Sequence, residues 1–263
     1  MERRQYHIGC RPGDVARYVL LPGDPARVSI ISKLWDGFQE VASHREYCTH
    51  TGVYKGASIS AVSTGIGSPS AGIAVEELAR IGADTMIRVG SCGAIQPDIK
   101  CGDIVISTGA VRLEGTSKQY ICAEYPAVAN YEVVLALIEA AELFGHRYHV
   151  GITASTDSFY CGQGRPGFRG YKSSMTDTLV PDLQKARVLN LEMETAAIFT
   201  LANLFGLRAG AICVVFAERM GGVFDAKGEK DAAQVASEAV KILSEWDVRK
   251  ERKGKKYWHP SLR

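Results

Sequence analysis

Continuous apolar runs alternate along the chain with stretches whose apolar positions recur every three or four residues. The first pattern suits a strand buried on both faces, the second a helix with one buried face. Strands are expected at Tyr18 to Leu21, Ile59 to Val62, Thr85 to Val89, Asp103 to Ser107, Tyr148 to Ala154, Arg187 to Leu191 and Ala211 to Phe216. Helices are expected from Pro69 to Ile81, Tyr131 to Phe144, Met193 to Phe205 and Glu229 to Trp246. Asn130 can cap the second helix, and Gly145 and Gly206 stand where helix-ending glycines belong.

Alternation of this kind predicts a three-layer α/β fold. At 263 residues the chain is long enough for one large domain. An apolar fraction of 46% excludes a disordered chain. No apolar run reaches the ~20 residues that span a bilayer. The first six residues, Met1 to Tyr6, lack a signal peptide's apolar segment, so a cytoplasmic protein without membrane partners is expected. The seven cysteines form no C-x-x-C pair and no zinc spacing, which fits reduced thiols.

Charge is uneven. Residues 249–263 hold seven Lys or Arg and one Glu, whereas the remainder holds 24 basic and 28 acidic residues. We therefore divide the chain into a domain at 1–248 and a basic tail at 249–263. The tail has no helical apolar face and reads as a solvated extension or a contact with a neighbouring subunit, not as a nucleic-acid site. Gly162 to Pro181 is the one long irregular stretch, and such loops are usually functional. No dinucleotide fingerprint or P-loop is present, so no cofactor is expected.

Candidate chemistry gathers at strand ends. Ile59 to Val62 runs into Ser63-Thr64-Gly65-Ile66-Gly67-Ser68-Pro69, a glycine turn that opens a helix. Backbone N–H groups there suit an anion or polar ligand. Gly23 precedes Arg27, Arg88 precedes Gly90-Ser91-Cys92-Gly93, and Arg45 sits within Ser43-His44-Arg45-Glu46. A single arginine is most often a surface ion pair. Three beside strand-end glycines point to a phosphate, whose oxygens match the guanidinium fork. Glu192-Met193-Glu194 ends a strand, where one carboxylate can accept two ribose hydroxyls or can simply favour a helix start. Gln163 offers a donor and an acceptor side by side, and Phe159 offers a ring face.

Together these segments resemble the nucleoside phosphorylase family that includes uridine phosphorylases and hexameric purine nucleoside phosphorylases. The resemblance covers roughly residues 5 to 245. It implies a single-domain three-layer α/β/α fold with a central mixed sheet flanked by helices. It implies that Gly23, Arg27, Arg88 and Ser91 bind inorganic phosphate, the co-substrate, with Arg45 reaching in from a neighbouring subunit. It places Glu194, Met193, Thr64 and, across the same interface, His7 on the ribose. It places Phe159, Gln163 and Arg165 on a uracil base, supported by Arg219. The implied assembly is a dimer sharing active sites, within a hexamer. A potassium site near Glu46 and Ser70 belongs to the same expectation.

The expected reaction is reversible phosphorolysis of uridine, or of a deoxyuridine or thymidine, to uracil and ribose 1-phosphate. Gln163 with Arg165 is the pyrimidine signature. Glu218 departs from it, because purine enzymes place an aspartate there that protonates the purine N7. We expect Glu218 instead to be a structural partner of Arg219 or Arg165. The rivals are a purine nucleoside phosphorylase, a hydrolytic nucleosidase, and a non-catalytic nucleoside-binding or storage protein on the same fold.

Overall fold

The computed structural model describes residues 4–262. Its elements in chain order are β1 (Tyr18–Pro22), α1 (Pro25–Ser32), β2 (Gly37–His44), β3 (Tyr47–Tyr54), β4 (Ala57–Val62), α2 (Ser68–Arg80), β5 (Thr85–Ala94), β6 (Ile104–Arg112) and β7 (Ala127–Val128). There follow α3 (Tyr131–Phe144), β8 (Tyr148–Ser155), α4 (Ser174–Lys185), β9 (Asn190–Glu192), α5 (Thr195–Leu204), β10 (Arg208–Glu218), β11 (Val223–Phe224) and α6 (Glu229–Arg252).

The described strands form one 11-stranded mixed sheet in the order β11-β10-β6-β8-β9-β5-β1-β4-β3-β2, with β7 beside β6. Strand β10 pairs with both β6 and β5, so β10, β6, β8, β9 and β5 close a ring. Helices α1, α3 and α6 cover one face of the sheet, and α2 and α5 cover the other. The three-layer α/β/α architecture with a mixed central sheet is thus the observed one. Tyr18 and Leu20 pack into the first core, Val19 and Leu21 into the second. A strand sandwiched in this way has no polar face, which is why it reads as an unbroken apolar run.

Three regions differ from expectation. The stretch from Gly162 to Pro181 is only partly irregular, because α4 begins at Ser174 and carries Pro181 within it. Ser173 and Thr176 close a capping box that starts this helix. The β2–β3 hairpin is additional; its mostly exposed strand β2 shows no apolar run.

The third difference is at the C-terminus. The boundary drawn at 248 falls inside α6, which continues to Arg252. Lys250 is buried and bridges Glu132 at 2.5 Å and Asp247 at 2.9 Å. Beyond the helix, Trp258 stacks on Trp246 with ring centroids 4.5 Å apart, and its backbone N–H donates to Glu132. The basic segment folds back on its own domain. Its anchors are two aromatic rings and a charge pair, which a count of surplus basic residues does not reveal.

Candidate active site

The carboxyl ends of β1, β5, β9 and β10 open on a cavity of about 520 Å³. This is where ligands enter open α/β sheets. Gly23, Arg27, Arg88, Ser91, Phe159, Gln163, Arg165, Met193 and Glu194 all line it. Residues as far apart in the chain as Gly23 and Phe224 therefore meet in one space.

Arg27 lies in the first turn of α1, behind the Asp24 cap that accepts from the Ala26 N–H. Its guanidinium meets Glu229 at 2.7 Å, donates to the Ser91 hydroxyl at 3.3 Å and lies 5.4 Å from the Phe216 ring centroid. Arg88 is inside β5 and only 5% exposed. Its Nε is 2.7 Å from Glu192 and its Nη2 is 2.5 Å from Glu194. Burial alone would weaken this cation, but the two carboxylates overcome that and raise its pKa above the ordinary arginine value. Its Nη1 is buried without a hydrogen-bond partner. A buried unpaired donor costs about 1–3 kcal/mol, so an acceptor is due there.

Glu194 is held from two sides. Arg88 pairs with one oxygen, and the Gly67 N–H donates to the other at 2.5 Å. Gly67 has φ +95°, a conformation that side chains rarely adopt. The N–H pocket expected at the start of α2 thus receives the protein's own carboxylate. Burial pushes the Glu194 carboxyl up, and the Arg88 charge pulls it back.

Glu192 is a cavity residue that the sequence reading left unassigned. Its carboxylate accepts the Glu194 and Thr195 N–H groups at 2.8 and 2.9 Å, which caps α5. The Ser155 hydroxyl donates to its other oxygen. Glu192 therefore fixes the start of α5 and the Arg88 guanidinium together. The alternating Glu-Met-Glu spacing signals two carboxylates here, but not that both take the same arginine.

The base side is built differently. Arg165 Nη1 donates to the Gln163 Oε1 at 2.6 Å and to the Phe159 carbonyl at 2.7 Å. Its guanidinium carbon lies 3.9 Å from the Phe159 ring centroid. Gln163 is buried, and its Nε2 donates to the Thr156 hydroxyl at 3.2 Å. Arg219 donates to the Gln163 carbonyl at 2.7 Å, and its Nη1 is buried without a partner. Desolvation, with the Arg219 charge behind it, lowers Arg165 to about 10.

Arg219 holds Gln163 from off the cavity lining, and four further residues lie elsewhere. Glu218 pairs with neither Arg165 nor Arg219. It meets Lys100 at 3.1 Å and accepts the Cys101 N–H at 3.1 Å, outside the cavity lining. These contacts, the Cys101 N–H first, hold its pKa below the usual glutamate value. Strand β10 ends here, just past an irregularity in its register between Val215 and Ala217, with Phe216 and Ala217 on the cavity and Glu218 off its lining. Thr64 is buried, and its hydroxyl donates to the Gly65 carbonyl at 3.1 Å, off the cavity lining. His7 meets Glu77 at 2.7 Å, and Arg45 lies 5.8 Å from the Tyr6 ring centroid. Neither His7 nor Arg45 lines the cavity of its own chain.

Glu46 and Ser70 both flank Gly65. A Cβ at that glycine would lie 2.8 Å from the Glu46 Cγ and 3.3 Å from the Ser70 Oγ. The Ser70 hydroxyl is 3.3 Å from the Ile66 carbonyl. Carboxylate, hydroxyl and carbonyl oxygens are hard donors that fit an alkali cation.

Known proteins resemble the chain over most of its length. The chain is 68% identical to a uridine phosphorylase of Thermococcus kodakarensis over 262 residues, covering all of this chain and 95% of the relative. It is 41% identical to a uridine phosphorylase of Escherichia coli over 248 residues, covering 91% of this chain and 95% of the relative. It is 44% identical to a guanosine phosphorylase of Halorubrum lacusprofundi, covering 83% of this chain and 86% of the relative. The family model of the phosphorylase superfamily matches residues 17–245, a span that includes every residue lining the cavity. The chain belongs to the phosphorylase superfamily.

Proposed function

We propose that the protein is a uridine phosphorylase, a pentosyltransferase that converts uridine and phosphate reversibly to uracil and ribose 1-phosphate. The observation that carries this reading is the absence of a carboxylate partner for Arg165 and Arg219 among the described residues. Two like charges beside a buried amide make a receptor for developing negative charge. As the glycosidic bond stretches, uracil gains that charge on its oxygens. Gln163 orients the base edge, and Arg165 stabilises the charge where it forms. Purine departure aided by N7 protonation calls for a nearby acid, and Glu218 is directed elsewhere.

Phosphate is the other substrate. Arg88 Nη1, Arg27 and Ser91 supply its donors within the same cavity. Glu194 accepts ribose hydroxyls, with Met193 packed on the sugar. Phosphate held against the sugar stabilises its cationic character and then attacks C1′, so no protein nucleophile is needed.

His7 and Arg45 enter this scheme from a second subunit. Their separation from the cavity of their own chain supports a dimer with shared sites, and a hexamer is the assembly we infer. Glu46 and Ser70 would hold a potassium ion near that interface. The seven free cysteines suit a cytoplasmic location. Incubating the protein with uridine, with and without phosphate, tests the reaction. Uracil and ribose 1-phosphate should form only with phosphate. Release of free ribose without it would make the protein a hydrolase, and no release in either case a binding protein.

A further inference from the structure

Away from the cavity, strands β2 and β3 bring together three side chains of a different chemistry. Cys48 and His50 are two apart on β3, so they share a face. Glu40 stands directly opposite His50 in the β2–β3 ladder. The ladder slips between Glu40 and Ala42, and this bulge turns the end of β2. The Cys48 sulfur, a His50 ring nitrogen and a Glu40 carboxylate oxygen all lie within 4.8 Å of one another.

The histidine is already oriented. Its Nδ1 shares a hydrogen bond with the Ser32 hydroxyl at 2.8 Å, and its Nε2 is 3.6 Å from the Glu40 carboxylate. The ring stacks on Phe38 with centroids 5.0 Å apart. An Nδ1–H donated to Ser32 leaves the Nε2 lone pair facing Glu40. Metal-bound histidines are commonly fixed through the other nitrogen in this way. Tetrahedral zinc has ligand distances of about 2.0–2.3 Å, which place ligands about 3.3–3.8 Å apart. The His50–Glu40 separation already falls in that range. Glu40 is 60% exposed at its side chain, so it is free to adjust and the fourth position opens to solvent.

We propose that Glu40, Cys48 and His50 bind one divalent transition-metal ion, with zinc the best match to a mixed S, N, O donor set. On binding, the Cys48 thiol releases its proton to solvent and coordinates as thiolate. The ion ties β2, the edge strand of the sheet, to β3. It is independent of the phosphorolysis site, since none of the three residues lines the cavity.

Titration of the chelator-treated protein with Co(II), followed by absorbance, tests this site. One ion per chain should bind, with a thiolate-to-cobalt charge-transfer band. Cys48→Ala should abolish the band, and Glu40→Gln should weaken binding about 10-fold or more. Zinc should compete with cobalt and raise the melting temperature of the unmodified protein but not of Cys48→Ala. Because Glu40 is exposed, Glu40→Gln keeps the test valid if a Cys48 variant fails to fold. An unchanged cobalt spectrum and affinity in Glu40→Gln, or no binding at millimolar metal, would overturn the proposal.

Discussion

Glu218 and Arg219 are neighbours in the chain but belong to different structures. Arg219 turns inward and donates to the Gln163 carbonyl at 2.7 Å, whereas Glu218 turns away to Lys100 at 3.1 Å. Their opposite charges do not cancel where the base is to bind. The separation keeps Arg165 and Arg219 uncompensated, and that is the electrostatic basis of the pyrimidine assignment.

Glu218→Gln should accordingly leave kcat/KM for uridine unchanged and confer no purine activity. Steady-state kinetics with uridine and inosine check this. A collapse of activity on either substrate would place Glu218 in the chemistry.

Gly93 is the space that Arg219 occupies. A Cβ there would lie 3.1 Å from the Arg219 Cγ and Cδ. Gly93→Ala should shift Arg219 and the Gln163 carbonyl it holds. A displacement near 1 Å can lower the rate by up to about 10²-fold. The loss should appear in kcat/KM for uridine at saturating phosphate, with the phosphate KM little changed.

Arg27 is held by Glu229 at the first turn of α6. Glu229 and phosphate are competing acceptors for that guanidinium. Glu229→Gln should therefore lower the phosphate KM, and Arg27→Ala should raise it by the loss of contacts worth ~1.5–3 kcal/mol each. Arg88→Ala is a poorer probe. It would leave Glu192 and Glu194 buried without their cation, at a cost of about 3–5 kcal/mol in stability. Phosphate titration at saturating uridine distinguishes the variants.

Asp247 governs behaviour in acid. Burial would raise its pKa, but hydrogen bonds from Arg208 and Tyr18 and the nearby charges outweigh burial and lower it below the ordinary aspartate range. The unfolded chain therefore takes up this proton first, at about pH 3.9. Stability that is full above that pH is lost as pH falls below it. Asp247→Asn should lower stability near neutral pH by about 3–5 kcal/mol and flatten its acid dependence. Denaturant melts between pH 3 and pH 7 read both effects.

Much of this was legible in the sequence because it depends on local pattern. The run Tyr18 to Leu21 announces a doubly covered strand, and Asn130 and Gly145 bracket α3 as read. Arg27, Arg88, Ser91, Gln163 and Glu194 carry strand-end signals and do share one cavity. What escaped depends on contacts across the chain. Glu218 carries no mark of its preference for Lys100, 118 residues away. Trp246 and Trp258 stack across a segment whose surplus charge suggested solvent. Pro181 argues locally against the helix that contains it, yet Val180 and Leu183 bury that helix against β9 and its neighbours. Tertiary packing overrides local propensity there.

Shared sites predict complementation. Arg45→Ala and Glu194→Gln chains should each be inactive alone. Mixed after dissociation and reassembly, they should regain activity, because some dimers then hold one intact site. No recovery despite demonstrated subunit exchange would place Arg45 outside the site.

Base selectivity is the central claim, and kcat/KM for uridine, inosine and guanosine at saturating phosphate measures it directly. The unmodified protein should prefer uridine. Arg165→Ala should lose about 10²–10³ in kcat on uridine, as when an oxyanion-hole donor is removed, and much less on any residual purine cleavage. Faster cleavage of inosine or guanosine than of uridine by the unmodified protein would contradict the account.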